Sequence, residues 1–155
     1  MEAAIYEQSF RALDEQARVL DGLRARAGTL VSLATVTTAF VGGLAATSQR
    51  APSPKLSVVA WVAIALYLSV VVLSLLISSP GRSWVFAHHP HRLLSVYLEN
   101  DRPESLSAFR RTIAYYNGSN YESNGRQLGL LSTLFAAASV LFMTELVLWL
   151  WVLAA

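Results

Sequence analysis

A seam of positions runs down the first part of the chain in alternating steps of four and three. It passes through Tyr6, Phe10, Leu13, Ala17 and Leu20 and continues through Arg24, Ala27, Val31, Ala34, Thr38 and Val41. That rhythm belongs to the contact face of a coiled coil or helical bundle. No proline occurs between Met1 and Ala51, so the spacing predicts one uninterrupted helix. Its beginning, residues 3–26, alternates charged and apolar positions and reads as an amphipathic helix in water. Residues 27–46 carry no charge, and about twenty such residues are enough to cross a hydrocarbon core of roughly 30 Å as a helix. Gly42-Gly43 and the polar run at 48–54 end it.

The charge-free stretch has a second pattern. Gly28, Ser32, Thr35, Ala39 and Gly42 follow one another at steps of three or four, which lines them up on one helical face. Small residues at that spacing let another helix come close, and hydroxyls among them can hydrogen-bond across the contact. The face therefore reads as a packing surface within the chain, as a contact between subunits, or as the wall of a pore.

Two further apolar runs follow. Residues 58–78 form an aliphatic, β-branched stretch that would favour a strand in water, but in lipid a backbone must satisfy its own hydrogen bonds and so becomes a helix. Residues 128–153 form the third and longest run, with Glu145 as its one ionisable group. Trp61 and Trp84 flank the second run, while Trp149 and Trp151 lie near the end of the third, all placed for an interfacial belt.

Between these runs, residues 80–127 are polar. A short helix is expected at 92–99, and Asn100-Asp101 followed by Pro103 is a start signal for another. That helix has Leu106, Phe109, Ile113 and Tyr116 in a heptad-like rhythm and then meets Gly118 and Gly125, which are positions for a break or a bend. If it runs on, its face continues through Asn120, Asn124 and Gln127 into the third span.

Composition agrees with a membrane protein. Of 155 residues 54% are hydrophobic and 14% charged, far more apolar than a soluble domain. The net charge is +2 and Lys55 is the only lysine; with no run of like charges, nothing points to nucleic acid. The absence of cysteine excludes disulfides and thiol chemistry. The start of the chain is too charged for a cleaved leader. Lysines and arginines number four before the first span, two between the first and second, and six between the second and third. By the positive-inside rule the N-terminus and the 80–127 segment face the cytoplasm and the C-terminus faces outside. The expected layout is a single all-α membrane domain over 1–155, with three transmembrane helices and amphipathic cytoplasmic helices forming a bundle.

Candidate chemistry is sparse. His88, His89 and His91 are ligand types for zinc, copper or nickel, but Pro90 spoils helical ligand spacing and no carboxylate pair or cysteine completes a site, so no metal or cofactor is expected. Asn117-Gly118-Ser119 fits a glycosylation pattern on what reads as the cytoplasmic side, where it would not be used. No catalytic constellation is present, and an enzyme is not expected. Glu145 is the exception, because a carboxyl group in a span is costly and marks a functional position. Counting equal depths brings Thr37 or Thr38 of the first span and Tyr67 of the second to its level. On a continuous third helix it shares a face with Leu131, Leu134, Ala138 and Leu141. It is then either a neutral structural hydrogen-bonding group, or part of a partly ionised ring around an axis between copies.

The stretch LDEQARVLDGLRARAGTLVSLATVTTAFVGG, residues 13–43, resembles the membrane proteins of bacterial antiphage nucleotide-signalling systems, namely the Pycsar transmembrane effectors and the related SLATT-type proteins. Ser79-Pro80 after the second span, the 90–116 region and the Asn-containing stretch 117–124 before the third are similar in layout. The resemblance implies an oligomeric effector that perforates or depolarises the bacterial inner membrane when a partner or a nucleotide signal arrives. No nucleotide-binding residue is matched. The reading is thus a homo-oligomeric inner-membrane protein that forms a pore or channel. Its alternative is a non-conducting scaffold or sensor subunit that docks a cytoplasmic partner through the seam from Tyr6 to Leu20.

Overall fold

The computed structural model describes residues 2–48, 58–79, 84–86 and 105–154. Within them the chain is all-helical: α1 (Glu2–Ser48), α2 (Val58–Ser78) and α3 (Leu106–Ala154), with no strand among the described residues. All three are long and apolar enough to cross a membrane. The expected histidine cluster at His88, His89 and His91, the short helix at 92–99 and the start signal at 100–103 lie outside the described residues.

The helix α1 runs unbroken through the expected change from charged to apolar sequence, 47 residues in all. The helix α3 is equally continuous at 49 residues. Neither Gly118 nor Gly125 breaks it, and no glycine among the described residues takes a positive φ. A glycine costs a helix interior about 1 kcal/mol, which a helix of this length absorbs. At the start of α3 the Ser105 hydroxyl accepts a hydrogen bond from the Ala108 N–H at 3.3 Å, capping an end that would otherwise leave donors unsatisfied.

Burial follows a repeat of seven on both long helices. In α1, Leu13, Leu20, Ala27 and Ala34 are each at most 2% exposed; these are the predicted seam positions. In α3, Asn117, Asn124, Leu131, Ala138 and Glu145 are each at most 1% exposed. A strict seven-residue repeat is the signature of helices that wind around each other with knobs in holes. Three of those five α3 positions are polar. The aqueous part of the predicted α3 face is displaced: Ile113 is buried, but Leu106 and Tyr116 are exposed, and Asn117 takes the inward place expected of Tyr116. The seven-residue frame places 117 and 124 in line with 131, so Tyr116 turns outward.

By its internal contacts the chain divides into two compact units, one of Met1–Asp21 with Gly81–Leu130 and one of Gly22–Pro80 with Leu131–Ala155. In the first unit, α1 and α3 are tied by polar side chains. Asn117 donates to the Ser9 hydroxyl at 2.9 Å, and the Gln16 amide donates to the Tyr121 carbonyl at 2.9 Å. Asn124 donates to the Val85 carbonyl at 3.1 Å. The ring of Tyr6 meets Phe10 edge-on at 5.0 Å and Phe109 at 6.4 Å. The seam from Tyr6 to Leu20 therefore finds its partner within its own chain.

The second unit has two apolar clusters. Leu30, Ala34, Val70 and Ala138 form one, flanked by Tyr67, Leu73, Phe135, Leu141 and Phe142. Ala60, Ala63 and Trp149 form the other, flanked by Val41, Ile64, Leu148 and Val152. The outward faces are apolar too: Phe40, Val72, Leu75, Val140, Val147 and Trp151 are all exposed. A soluble bundle turns polar side chains outward, whereas this pattern suits a surface solvated by lipid.

Candidate functional site

Glu145 lies on α3 between the two apolar clusters, one turn beyond Leu141 and one turn before Trp149. It is completely buried. The Thr38 hydroxyl of α1 donates to its Oε1. Of the two threonines that depth counting brings to this level, it is Thr38 that points at the carboxyl group, because Thr38 and not Thr37 continues the seven-residue seam through Val31 and Val41. The Oε2 atom and the Trp149 indole N–H are both buried without a hydrogen-bond partner. The indole lies one turn along α3 from the carboxyl group and makes no hydrogen bond to it.

Tyr67 does not join Glu145. Its phenol lies 3.1 Å from the Thr35 hydroxyl oxygen. Thr35 spends its single proton on the Val31 carbonyl at 2.8 Å, so Tyr67 is the donor of that pair. Equal depth brought Tyr67 to the right level, but rotation about α2 aims it at Thr35.

Trp149 was expected at the membrane interface and is instead a core residue, 1% exposed. The site that receives it is Gly42, where an added Cβ would come within 3.2 Å of the indole Cη2. A side chain there would make the ring give by a few tenths of an ångström in its place between Val41 and the alanines of α2. Trp151, at 57% exposed, and Trp61, at 60%, keep the outward orientation an interfacial belt requires. Trp84 stacks on Phe86 with ring centroids 5.7 Å apart.

The small-residue face of the first span splits by role. Gly42 packs on Trp149 and Thr35 bonds to Tyr67. Gly28, Ser32 and Ala39 are exposed, and a Cβ at Gly28 would meet nothing within 4 Å. Within the chain α1 packs mainly through Ala27, Leu30 and Ala34, and from the small face Gly42 and Thr35 join that packing while Gly28, Ser32 and Ala39 stay outside it. The Ser32 hydroxyl donates to the Gly28 carbonyl at 3.1 Å. That leaves only oxygen lone pairs facing outward.

The polar residues in the first unit were legible only in part. Asn124 lies on the expected continuation of the α3 face, but Asn117 appeared in the sequence only within a glycosylation pattern and Gln16 not at all. The signal that finds Asn117 is its spacing of seven and fourteen from Asn124 and Leu131. No cluster of metal-ligating side chains occurs among the described residues. Comparison with protein-family models, with curated proteins and with solved structures finds no match to this chain.

Proposed function

We propose that the protein is a homo-oligomeric, multi-pass protein of a bacterial inner membrane that forms a pore or channel. The observation that carries this reading is the face of Gly28, Ser32 and Ala39, which is small, uncharged, inside the first span and exposed. Small residues spaced this way let α1 of neighbouring copies approach closely. Where the faces line an axis, their hydroxyl oxygens present lone pairs to it and favour cations over anions. Orientation follows the arginine count, with the N-terminus and the 80–127 segment in the cytoplasm. The layout resemblance to the antiphage effectors supports a role in depolarising the membrane on a signal delivered to the cytoplasmic helices.

Two observations weigh between this reading and its alternatives. A ring of ionised Glu145 side chains requires the carboxyl group to face an axis between copies, yet it is enclosed by its own chain. Docking of a partner through the Tyr6–Leu20 seam requires that seam to be open, yet Leu13 and Leu20 are buried against the chain's own helices. The conducting assembly is therefore built on α1 and not on α3.

The test is purified full-length protein in liposomes, read by ion flux, with native mass spectrometry for the number of subunits. The expected result is a defined oligomer and cation flux. An oligomer without flux would transfer the function to the scaffold reading, and a monomer without flux would overturn both.

A further inference from the structure

Glu145 is fully buried, and no cation lies in any of the three spans to offset it. Residues 27–48, 58–78 and 128–154 contain no lysine, arginine or histidine and no other acid. Each packed element offers only neutral groups. From α1 these are the Thr38 hydroxyl, Val41 and Gly42, and from α2 Ala60, Ala63, Ile64 and the phenol of Tyr67, which is occupied with Thr35. From α3 they are Leu141, Phe142, Leu148 and the Trp149 indole. Tyr67 is the single other titratable side chain among them.

An isolated carboxylate in such surroundings costs several kcal/mol, and a hydrogen bond from one hydroxyl offsets only a fraction of that. A metal cation would need a shell of about six oxygens. The site supplies two carboxyl oxygens and one hydroxyl, since the carbonyls of continuous helices are already bonded. The ligand that fits is the proton, which needs one oxygen and no shell.

We propose that Glu145 and Thr38 form a proton-binding site inside the membrane, and that its occupancy sets how tightly α1 and α3 pack. With the proton on Oε2 the carboxyl group is neutral, Oε1 accepts from Thr38, and Trp149 rests on Gly42. Loss of the proton leaves a carboxylate with one donor. Among the described residues around the site the indole N–H, one turn along α3, is the donor left without a partner. Its ring is the one packed on Gly42 and the Ala60–Ala63 cluster, so a bond from it to the carboxylate would draw on that packing. Deprotonation thus loosens the contact that closes this part of the bundle, whether or not the protein conducts ions.

The experiment is infrared difference spectroscopy of the full-length protein in lipid, following the carbonyl stretch of neutral carboxylic acids as pH is varied. The wild type is expected to show that band at neutral pH and to lose it reversibly as pH rises. E145Q should lack it throughout. T38V retains the carboxyl group, so its band should remain and move to higher frequency because Oε1 has lost its donor. In parallel, the thermal midpoint of the wild type should fall as pH rises towards the range where the band is lost and level off above it, because below that range only the packed state retains the proton. E145Q should show no such fall, or, if it does not fold, T38V should show the fall at a different pH from the wild type. A wild type without the band at neutral pH, or with a band that no pH removes, would overturn the proposal. A midpoint that falls equally in the wild type and E145Q would overturn the link to packing. None of these readouts depends on flux, so the failure of either proposal leaves the other standing.

Discussion

Gly42 and Trp149 are matched in size: the indole occupies the space a side chain at position 42 would take, with Cη2 3.2 Å from the place of its Cβ. The ring has little room to yield, because Ala60 and Ala63 close over it. Gly42→Ala is therefore expected to lower stability by about 1 kcal/mol and Gly42→Leu by more, the ordinary cost of overpacking a filled core. The measurement is thermal unfolding in detergent. Stability equal to the wild type in Gly42→Leu would show that Trp149 does not depend on this gap.

Gly28 and Ala39 should behave in the opposite way. Both are exposed, and a Cβ at Gly28 meets nothing, so Gly28→Leu and Ala39→Leu should leave the folded protomer intact. If copies meet through this face, both changes should lower the subunit count seen by native mass spectrometry. Leu33→Ala and Phe40→Ala, at exposed positions off that face, should not. The same subunit count in all four variants would remove this face as an assembly surface.

Leu13 and Leu20 are buried in the first unit. Leu13→Asp or Leu20→Asp exchanges a buried apolar side chain for a charge, at a cost on the order of 4 kcal/mol. The expected result is loss of hydrogen-exchange protection across residues 3–20 while the protein still inserts into membranes. Protection unchanged in both variants would mean that this part of α1 is not held by the seam.

Asn117 and Asn124 occupy inward positions of a seven-residue repeat, where an apolar side chain would pack better but specify less. Asn117→Ala loses the bond to Ser9 and should cost about 1 kcal/mol. Asn117→Leu with Asn124→Leu should raise the melting midpoint and broaden the distribution of oligomeric states. A raised midpoint with one unchanged oligomer would show that the asparagines do not choose the register.

How α1 and α3 pair is visible in sequence separations. Asn117 and Ser9 are 108 residues apart, in the first unit. Glu145 and Thr38 are 107 apart, in the second. Within each unit the two helices run side by side in the same direction, which is what three spans require of the first and the third. The depth argument that brings Thr38 to Glu145 works for that reason: both helices rise by the same amount per residue.

The sequence by itself determined the three spans, the unbroken α1, the seam through Leu13 and Leu20, and the shared face of Leu131, Ala138 and Glu145; for the first span it offered two faces, the continuation of that seam and the small-residue face. Each follows from length, charge or periodicity, which a single helix already expresses. The tertiary structure decided which of two faces of the first span is used: Ala27, Leu30 and Ala34 turn inward while Gly28, Ser32 and Ala39 stay outside. It also decided that Trp149 is core and Trp151 is not, and that Tyr67 serves Thr35 and not Glu145. In water hydrophobicity would have chosen the inward face. In a span lipid is as apolar as leucine, so no such preference exists, and the choice falls to the fit of one side chain against its neighbour. That fit depends on shapes contributed by three helices at once, and no single stretch of sequence contains it.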